Sequence, residues 1–283
     1  MPIYKYVSED RLSILEDGLI RFTQPRAFND PFEFRPHIYE ISDDEYLDDA
    51  LDEQYDEILE TEYSKLPLEL KSHISLANFK SFGLIQKGEV RENLRLAMKA
   101  MTPLARKGVF DGIEGNIGVL SLTKCPLNLL MWAHYANCHQ GFVLEFDENH
   151  EYFNRRLSET DELRYMRKVD YQSDRPKVSL MKVESFDVFL IKGKEWEYEQ
   201  EWRMLLPLRD ADKVISMKPH DIHLYKIPFS AIKSVILGDR VTTEIRKEAK
   251  HLIVGREELS HVRLYQSRVD EKEFKLNIEE LSI

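Results

Sequence analysis

Three glutamates at alternate positions, Glu197, Glu199 and Glu201, form the segment best suited to chemistry. Large apolar residues alternate with them, so residues 196–206 have the pattern of a strand with one buried face. Carboxylates two positions apart on such a strand lie roughly 6.5–7 Å apart. They repel one another unless a cation or a ligand hydroxyl lies between them. The candidate cations nearby are Arg203, Lys192 and Lys194.

Positioned carboxylates suit the cleavage of a glycosidic bond, because the oxocarbenium-like transition state develops positive charge. The aromatic residues beneath them, which include Trp196 and Trp202, would hold the acidic side chains rigidly. An ordinary solvated face of an antiparallel strand is the alternative interpretation. A third is a nuclease in which the three glutamates bind Mg²⁺. The residues themselves leave all three interpretations open.

Two further segments carry candidate site residues. His134 and Tyr135 lie on a helix predicted for residues 127–136, where they either wall a ligand pocket or belong to the core. Lys5 lies on a predicted first strand, where it is either an edge-strand lysine or a cation for an anionic ligand. The spacings of cysteine and histidine match no zinc pattern, so we predict no metal site.

Composition indicates a globular protein with a sizeable core, since 42% of the 283 residues are hydrophobic and 32% are charged. The net charge of -11 disfavours binding to phosphate backbones in general. No apolar run reaches the roughly 18–20 residues of a membrane helix. The first residues lack a signal-peptide pattern, and the two cysteines are too few for a disulfide framework. We therefore expect a cytoplasmic protein that does not contact a membrane.

The predicted elements form a mixed α+β pattern without internal repeats. Residues 40–62 hold twelve acidic residues and no basic one, with apolar residues at helical spacing, so an acidic helix is expected there. Residues 40–110 are predicted to be a helical, acidic insertion within a single domain, residues 1–283. A helix is predicted for 179–192. Strands are predicted at 3–7, 19–23, 119–123, 141–146, 196–206, 214–217, 223–227, 234–237 and 262–265, and a further helix at 243–254.

Four segments resemble a bacterial family catalogued as domain of unknown function 2971. They are Tyr4-Lys5-Tyr6, then Phe28-Asn29-Asp30-Pro31-Phe32-Glu33, then residues 120–141 with Met131-Trp132-Ala133-His134-Tyr135-Ala136, and finally residues 196–203. The order of these motifs also resembles a divergent ADP-ribosyltransferase. That superfamily has a basic or histidine residue on its first strand, a Ser or Tyr motif on a middle strand and Glu-x-Glu on a later one.

This resemblance implies a split antiparallel β core and NAD as the substrate. Glu201 would then be the catalytic carboxylate and Glu199 would orient the acceptor. Lys5 would hold a phosphate or ribose, and Ser121 would position the nicotinamide ribose. A lysine in the first position departs from the superfamily pattern, since it cannot make the bidentate contacts of arginine. The predicted ligand-binding residues are Lys5, Tyr6, Asn29, Ser121, Trp132, His134, Tyr135 and Arg203.

The leading hypothesis is transfer or hydrolysis at the glycosidic bond of NAD, as in a toxin or an anti-phage effector. It implies a small nucleotide ligand and a macromolecular acceptor, either protein or nucleic acid. The alternatives are a non-catalytic module that binds a nucleotide or a protein, with the acidic helix as its contact surface, and the metal-dependent nuclease. Convergence of Lys5, Ser121 and Glu201 on one cleft would favour the leading hypothesis.

Overall fold

The computed structural model describes residues 2–282, to which the following account refers. Its strands are β1 Pro2–Val7, β2 Leu19–Phe22, β3 His37–Glu40, β4 Ile117–Thr123, β5 Phe142–Asp147, β6 Met166–Lys168, β7 Asp170–Gln172, β8 Lys177–Ser179, β9 Ile191–Gly193, β10 Glu201–Pro207, β11 Lys213–Ile215, β12 Ile222–Lys226, β13 Ile232–Leu237, β14 Arg263–Val269 and β15 Leu276–Glu280. Its helices are α1 Ile14–Asp17, α2 Asp44–Lys65, α3 Leu68–His73, α4 Leu76–Asn116, α5 Leu129–Tyr135 and α6 Thr243–Val254. None of these helices is long and apolar enough to cross a membrane.

The described chain divides into two compact units. The first consists of Met1–Arg35, Gly112–Arg175 and Phe189–Ile283, and the second of Pro36–Asp111 and Pro176–Val188. In the first unit, an eight-stranded sheet has the strand order β15-β14-β13-β5-β1-β4-β10-β6. All of its neighbouring strands are antiparallel except β13 and β14. The mixed sheet and the helices confirm the predicted α+β class.

The central strands of this sheet are apolar because both of their faces are covered. Leu144 and Phe146 of β5, with Leu120 of β4 and Met204 of β10, belong to the main core. On the other side, Tyr6 and Val143 pack against Trp132 of α5. Helix α5 begins where the side chain of Asn128 accepts hydrogen bonds from the amides of Leu130 and Met131, at 2.9 and 3.2 Å.

An opening between β1 and β4 is the feature of the sheet that matters most for the site. In the described chain these strands share one pair, Tyr4 with Thr123, and then separate. Thr23, at the end of β2, pairs instead with Val119 of β4. Val119 exchanges both backbone hydrogen bonds with Thr23, and residues two apart on a strand direct their backbone groups to the same edge, so the carbonyl of Ser121 faces the opening rather than β10.

The second unit contains α2, α3, α4 as far as Asp111, and the short parallel pair of β3 and β8. Helix α2 begins at Asp43, whose side chain accepts from the amide of Tyr46 at 2.9 Å. Of its predicted apolar stripe, Leu47, Leu51, Tyr55 and Leu59 are buried, whereas Ile58 is exposed. Acidic residues of α2 form ion pairs with basic residues of α4, namely Asp56 and Glu60 with Lys80, Asp52 with Lys87, and Asp48 with Arg91.

Two predictions of secondary structure are wrong. The helix expected over residues 179–192 is replaced by the end of β8, the two 3-10 turns Leu180–Lys182 and Phe186–Phe189, and β9. The strand expected from Trp196 begins only at Glu201, because Lys194–Glu199 form a 3-10 helix. Strand β15 was not predicted, since most of its residues are exposed and its polar sequence lacks a buried period-two face. The single-domain interpretation stays a prediction.

Candidate functional site

A cavity of about 360 Å³ lies within the first unit, beside the opening between β1 and β4. It is enclosed by β1, β4, α5, the segment that follows β2, and the start of β10. Pockets of roughly this size hold small molecules in other proteins. The predicted site residues that line it are Lys5, Tyr6, Asn29, Ser121, His134, Tyr135, Glu199 and Glu201.

Two of the three carboxylates that line the cavity, those of Glu199 and Glu201, are brought together by a turn in the backbone. Gln200 ends the 3-10 helix in the left-handed conformation, with φ 44° and ψ 51°. A straight strand would space Glu199 and Glu201 along one face, whereas this turn directs both to the ammonium group of Lys192. Glu197, before the turn, is exposed. The acidic face is therefore a buried cluster of two of the predicted glutamates.

Lys192 lies at the centre of this cluster, with only 3% of its side chain exposed. Its Nζ atom is 2.7 Å from Oε2 of Glu199, 3.0 Å from Oε1 of Glu33 and 3.3 Å from Oε2 of Glu201. The pairing of β9 with β7 sets its position, since Lys192 pairs with Tyr171. Of the two lysines named from the sequence, Lys192 is the one that joins the cluster, and Lys194 is exposed.

Arg203 binds two of these carboxylates, those of Glu201 and Glu33. Its Nε donates to Oε1 of Glu201 at 2.7 Å and its Nη2 to Oε2 of Glu201 at 2.8 Å, and Nη2 also contacts Glu33. The guanidinium group lies 5.4 Å from the ring centre of Phe28 and 5.2 Å from that of Phe34. These contacts bury Arg203 almost completely.

Burial and charge pairing act in opposite directions on the pKa values of the cluster. Burial alone would raise the pKa of Glu201, but the charges of Arg203 and Lys192 outweigh it and lower the pKa to about 2. For Glu33 burial prevails over the same two cations and the pKa is raised. The pKa of Lys192 is raised, because the carboxylates outweigh the burial that would lower it. Glu201 is therefore ionised at neutral pH.

Glu199 has a different set of contacts. Its Oε1 accepts from the hydroxyl of Tyr135 at 2.6 Å, and that hydroxyl also accepts from Nδ2 of Asn29 at 3.4 Å. Burial and the charge of Glu199 raise the pKa of Tyr135, so its hydroxyl stays protonated and donates. The main chain of Glu199 is held by Thr123, whose hydroxyl donates to its carbonyl.

Glu199 retains more acceptor capacity than Glu201. A carboxylate has about four acceptor sites. From described residues, Glu201 receives two bonds from Arg203 and one from Lys192. Glu199 receives one bond from Tyr135 and one from Lys192. A ligand hydroxyl in the cavity can therefore donate to Glu199 without displacing a protein donor.

Lys5 occupies the opening in the sheet, where its Nζ donates to the carbonyl of Ser121 at 2.9 Å. Its neighbours on the same side of β1, Ile3 and Val7, belong to the main core. Burial lowers the pKa of Lys5 to about 8, further than the charge of Glu201 raises it. The lysine thus satisfies a strand carbonyl and presents a positive charge to the cavity.

Two predicted ligand-binding residues do not line the cavity. Trp132 is fully buried, packs edge-on against Tyr6 with 5.3 Å between the ring centres, and donates to the carbonyl of Pro126 at 2.9 Å. Arg203 lies behind Glu201, as described above. Both act on the cavity through the residues they hold. The histidine of α5, His134, does line it, next to Tyr135.

Glu33 and Tyr171 are among the members of the site that sequence reasoning missed. Glu33 was part of the Phe28–Glu33 motif but was not assigned a role, although an acidic residue in an apolar loop can signal a buried ion pair. Tyr171 accepts the amide hydrogen of Glu201 at 2.8 Å through its hydroxyl. Nothing in the local sequence indicates that contact. In residues 2–282, no group of three or more His, Cys, Asp or Glu residues could hold a metal ion.

Residues 131–204 match the model of a family described as a protein of unknown function (DUF2971). The match covers most of α5, the cluster lysine Lys192, the carboxylates of Glu199 and Glu201, and Arg203, and it supports the family resemblance drawn from the motifs. No curated protein matches the chain, and no solved structure matches it.

Proposed function

We propose that the cavity binds NAD as a substrate and that the protein breaks the glycosidic bond between nicotinamide and ribose. The ADP-ribose would pass to water or to a macromolecular acceptor, as the resemblance to ADP-ribosyltransferases implies, and the protein would act as a toxin or an anti-phage effector. One observation carries the proposal. Lys5, Ser121, Glu199 and Glu201, which are far apart in sequence, converge on one cavity, as the resemblance requires.

The reaction needs little proton chemistry from the protein. When the bond between C1′ of the ribose and the pyridinium nitrogen breaks, the electron pair neutralises that nitrogen and nicotinamide leaves without a proton. The ribose becomes an oxocarbenium ion, which a water or acceptor oxygen attacks with loss of its proton. An ionised carboxylate beside the ribose stabilises the positive charge that develops.

We assign the contact with the ribose to Glu199. It has free acceptor sites and faces the cavity beside Tyr135. The resemblance gives that role to Glu201, whose two oxygens are both bonded by Arg203 and one of them also by Lys192. Glu201 would instead fix the position of Lys192, and Lys192 in turn fixes the carboxylate of Glu199.

The cavity walls also suit a nicotinamide nucleotide. Tyr4, Tyr6, His134 and Tyr135 contribute aromatic surface on which a planar ring can stack. The separation of β1 from β4 after one residue pair supports the expected split β core. These features favour the proposal without identifying the acceptor.

Nicotinamide release from NAD is the direct test, with candidate acceptors present. We expect Glu199→Gln to lower the rate by about a hundredfold or more, as the loss of a transition-state contact does in other enzymes. The matched control is Glu197→Gln, because Glu197 is exposed and lies two residues away. Its rate should stay within about twofold of the wild type.

If the wild type and Glu199→Gln released equal, background amounts of nicotinamide, the proposal that the protein is an enzyme would be refuted. If the wild type bound NAD without releasing nicotinamide, the cavity would be the site of a binding module. If Glu201→Gln abolished nicotinamide release while Glu199→Gln did not, Glu201 would be the catalytic carboxylate, as the resemblance implies. Thermal unfolding of each variant shows whether a loss of rate reflects a loss of fold.

A further inference from the structure

Arg21, a residue that the sequence analysis did not single out, lines the same cavity as the carboxylates. It lies on β2 and pairs with Leu224 of β12. Its Nε atom is buried and has no hydrogen-bond partner within residues 2–282. In that range Arg21 also forms no ion pair, whereas Lys192 and Arg203 each contact at least two carboxylates. A half-buried guanidinium group without an acidic partner is costly, because its donors lose water without gaining protein acceptors.

Other cations lie near Arg21. Burial lowers its pKa, and the charge of Arg11 lowers it further. Arg21 in turn acts to lower the pKa of Lys5. Arg21 and Lys5, two cations of the cavity wall, therefore lie near enough for the charge of one to disfavour that of the other.

These cations lie at a different position along β4 from the carboxylates. Residue Thr23, two positions after Arg21, pairs with Val119, whereas Glu201 pairs with Thr123 at the other end of the strand. The amino group of Lys5 reaches the carbonyl of Ser121 between these two pairs. A ligand that carries an anionic group on one side and a ribose on the other would match this order of charges.

We propose that Arg21, together with Lys5, forms a subsite for the phosphate groups of a nucleoside diphosphate. This inference rests on the proposed function, because it takes the cavity as a nucleotide site. It names Arg21 as the residue that can bind a phosphate in a bidentate manner, as Lys5 cannot. A lysine is a point charge, whereas the planar guanidinium group of Arg21 can donate two parallel hydrogen bonds to one phosphate. The bound phosphate would also satisfy the buried Nε of Arg21.

Binding of ADP, inorganic pyrophosphate and adenosine, measured by calorimetry on the full chain, tests the subsite. We expect the wild type to bind ADP and pyrophosphate. Arg21→Gln should weaken the binding of ADP at least about tenfold, since hydrogen bonds between charged groups are lost. It should leave any binding of adenosine unchanged. The matched control, Arg26→Gln, removes a nearby exposed arginine that does not line the cavity, and should change ADP binding less than about threefold.

Arg21→Lys keeps the charge without the planar group and should bind ADP with an intermediate affinity, so it guards against a folding defect in the glutamine variant. The inference is overturned if the wild type binds neither ADP nor pyrophosphate, or if Arg21→Gln binds ADP as tightly as the wild type. Equal losses in the Arg21 and Arg26 variants would also overturn it, because they would indicate a diffuse field rather than a contact.

The outcomes for the subsite and for the enzyme are separable. ADP has no nicotinamide to release, so Arg21-dependent ADP binding without nicotinamide release from NAD would support the subsite and refute the proposed reaction. Nicotinamide release with an unchanged KM for NAD in Arg21→Gln would support the reaction and refute the subsite.

Discussion

Arg203 holds Glu201 through two parallel hydrogen bonds, Nε to Oε1 at 2.7 Å and Nη2 to Oε2 at 2.8 Å, from two positions further along β10. This paired contact keeps Glu201 ionised in a buried place, and it also occupies the oxygens that a ligand would need. Glu201, to which the resemblance gives the catalytic role, is therefore better placed to organise its neighbours. Under the proposed function, Glu199, two residues earlier, would be the carboxylate that contacts the ligand, because it has more free acceptor sites.

Replacing Arg203 by methionine should lower the free energy of unfolding by about 3–5 kcal/mol, because Glu201 and Glu33 would lose a buried partner. Urea unfolding measures the change. The control is Arg209→Met, since that side chain is 86% exposed and its nearest carboxylate, in Asp210, is 3.7 Å away. The control should shift the unfolding free energy by less than about 0.5 kcal/mol. Similar values for both variants would mean that the cluster does not stabilise the fold.

The lowered pKa of Lys5 predicts a dependence of stability on pH. Folded Lys5 loses its proton near pH 8, whereas an unfolded lysine does so near 10.4. Between these values the unfolded chain binds more protons, so this group makes the free energy of unfolding rise with pH. The destabilisation by the buried charge is present below about pH 8 and is lost toward pH 10.

Urea unfolding of the wild type and of Lys5→Met at pH 7.5 and 9.5 measures that contribution. The stability of the wild type relative to the variant should increase between the two pH values. Lys5→Arg, whose guanidinium group stays protonated throughout, should lack the increase as well. If the difference between wild type and Lys5→Met were the same at both pH values, Lys5 would not titrate in this range.

Gln200 provides a third prediction, because its side chain is exposed while its backbone is left-handed. Gln200→Gly should raise the free energy of unfolding by about 1 kcal/mol, since glycine adopts this conformation without a steric penalty. Gln200→Val should lower it by about 1–2 kcal/mol, because a β-branched residue is disfavoured there. Equal stabilities of the glycine and valine variants would show that the turn is not constrained.

The valine variant should also release nicotinamide more slowly than the glycine variant. The turn at Gln200 brings Glu199 and Glu201 to one ammonium group, and a residue that resists the turn would separate them. Measuring both variants at saturating NAD separates this effect from a change in affinity.

Much of the fold follows from the sequence wherever one face of an element is apolar. Helix α6 was predicted with its observed bounds, and the strand predicted over residues 196–206 ends within a residue of the observed end of β10, although it begins five residues too early. The alternation in Trp196–Glu199 was misleading, since apolar and acidic residues at alternate positions also fit a short 3-10 helix. Over 179–192 the apolar residues predicted a helix, but they form short strands and turns.

The strands that carry the candidate site could be predicted from the sequence, whereas the contacts between side chains of the site could be predicted less well. Lys5, Ser121 and Glu201 were placed together by motif order alone. Glu33 contacts Arg203 from 170 positions away, and local patterns carry no information about such pairs. Arg21 gave no signal either, because an arginine on a strand is ordinary until its missing counter-charge is seen.

The hydrogen bond from Lys5 to the carbonyl of Ser121 has a consequence for any ligand. The ammonium group has three donors, but a phosphate that drew it out of reach of that carbonyl would leave the carbonyl without a donor, which is unfavourable. A ligand that carries a hydroxyl close to its phosphate can replace the lost donor, and one without a hydroxyl cannot. The cavity beside the opening in the sheet would then bind sugar phosphates more tightly than inorganic phosphate.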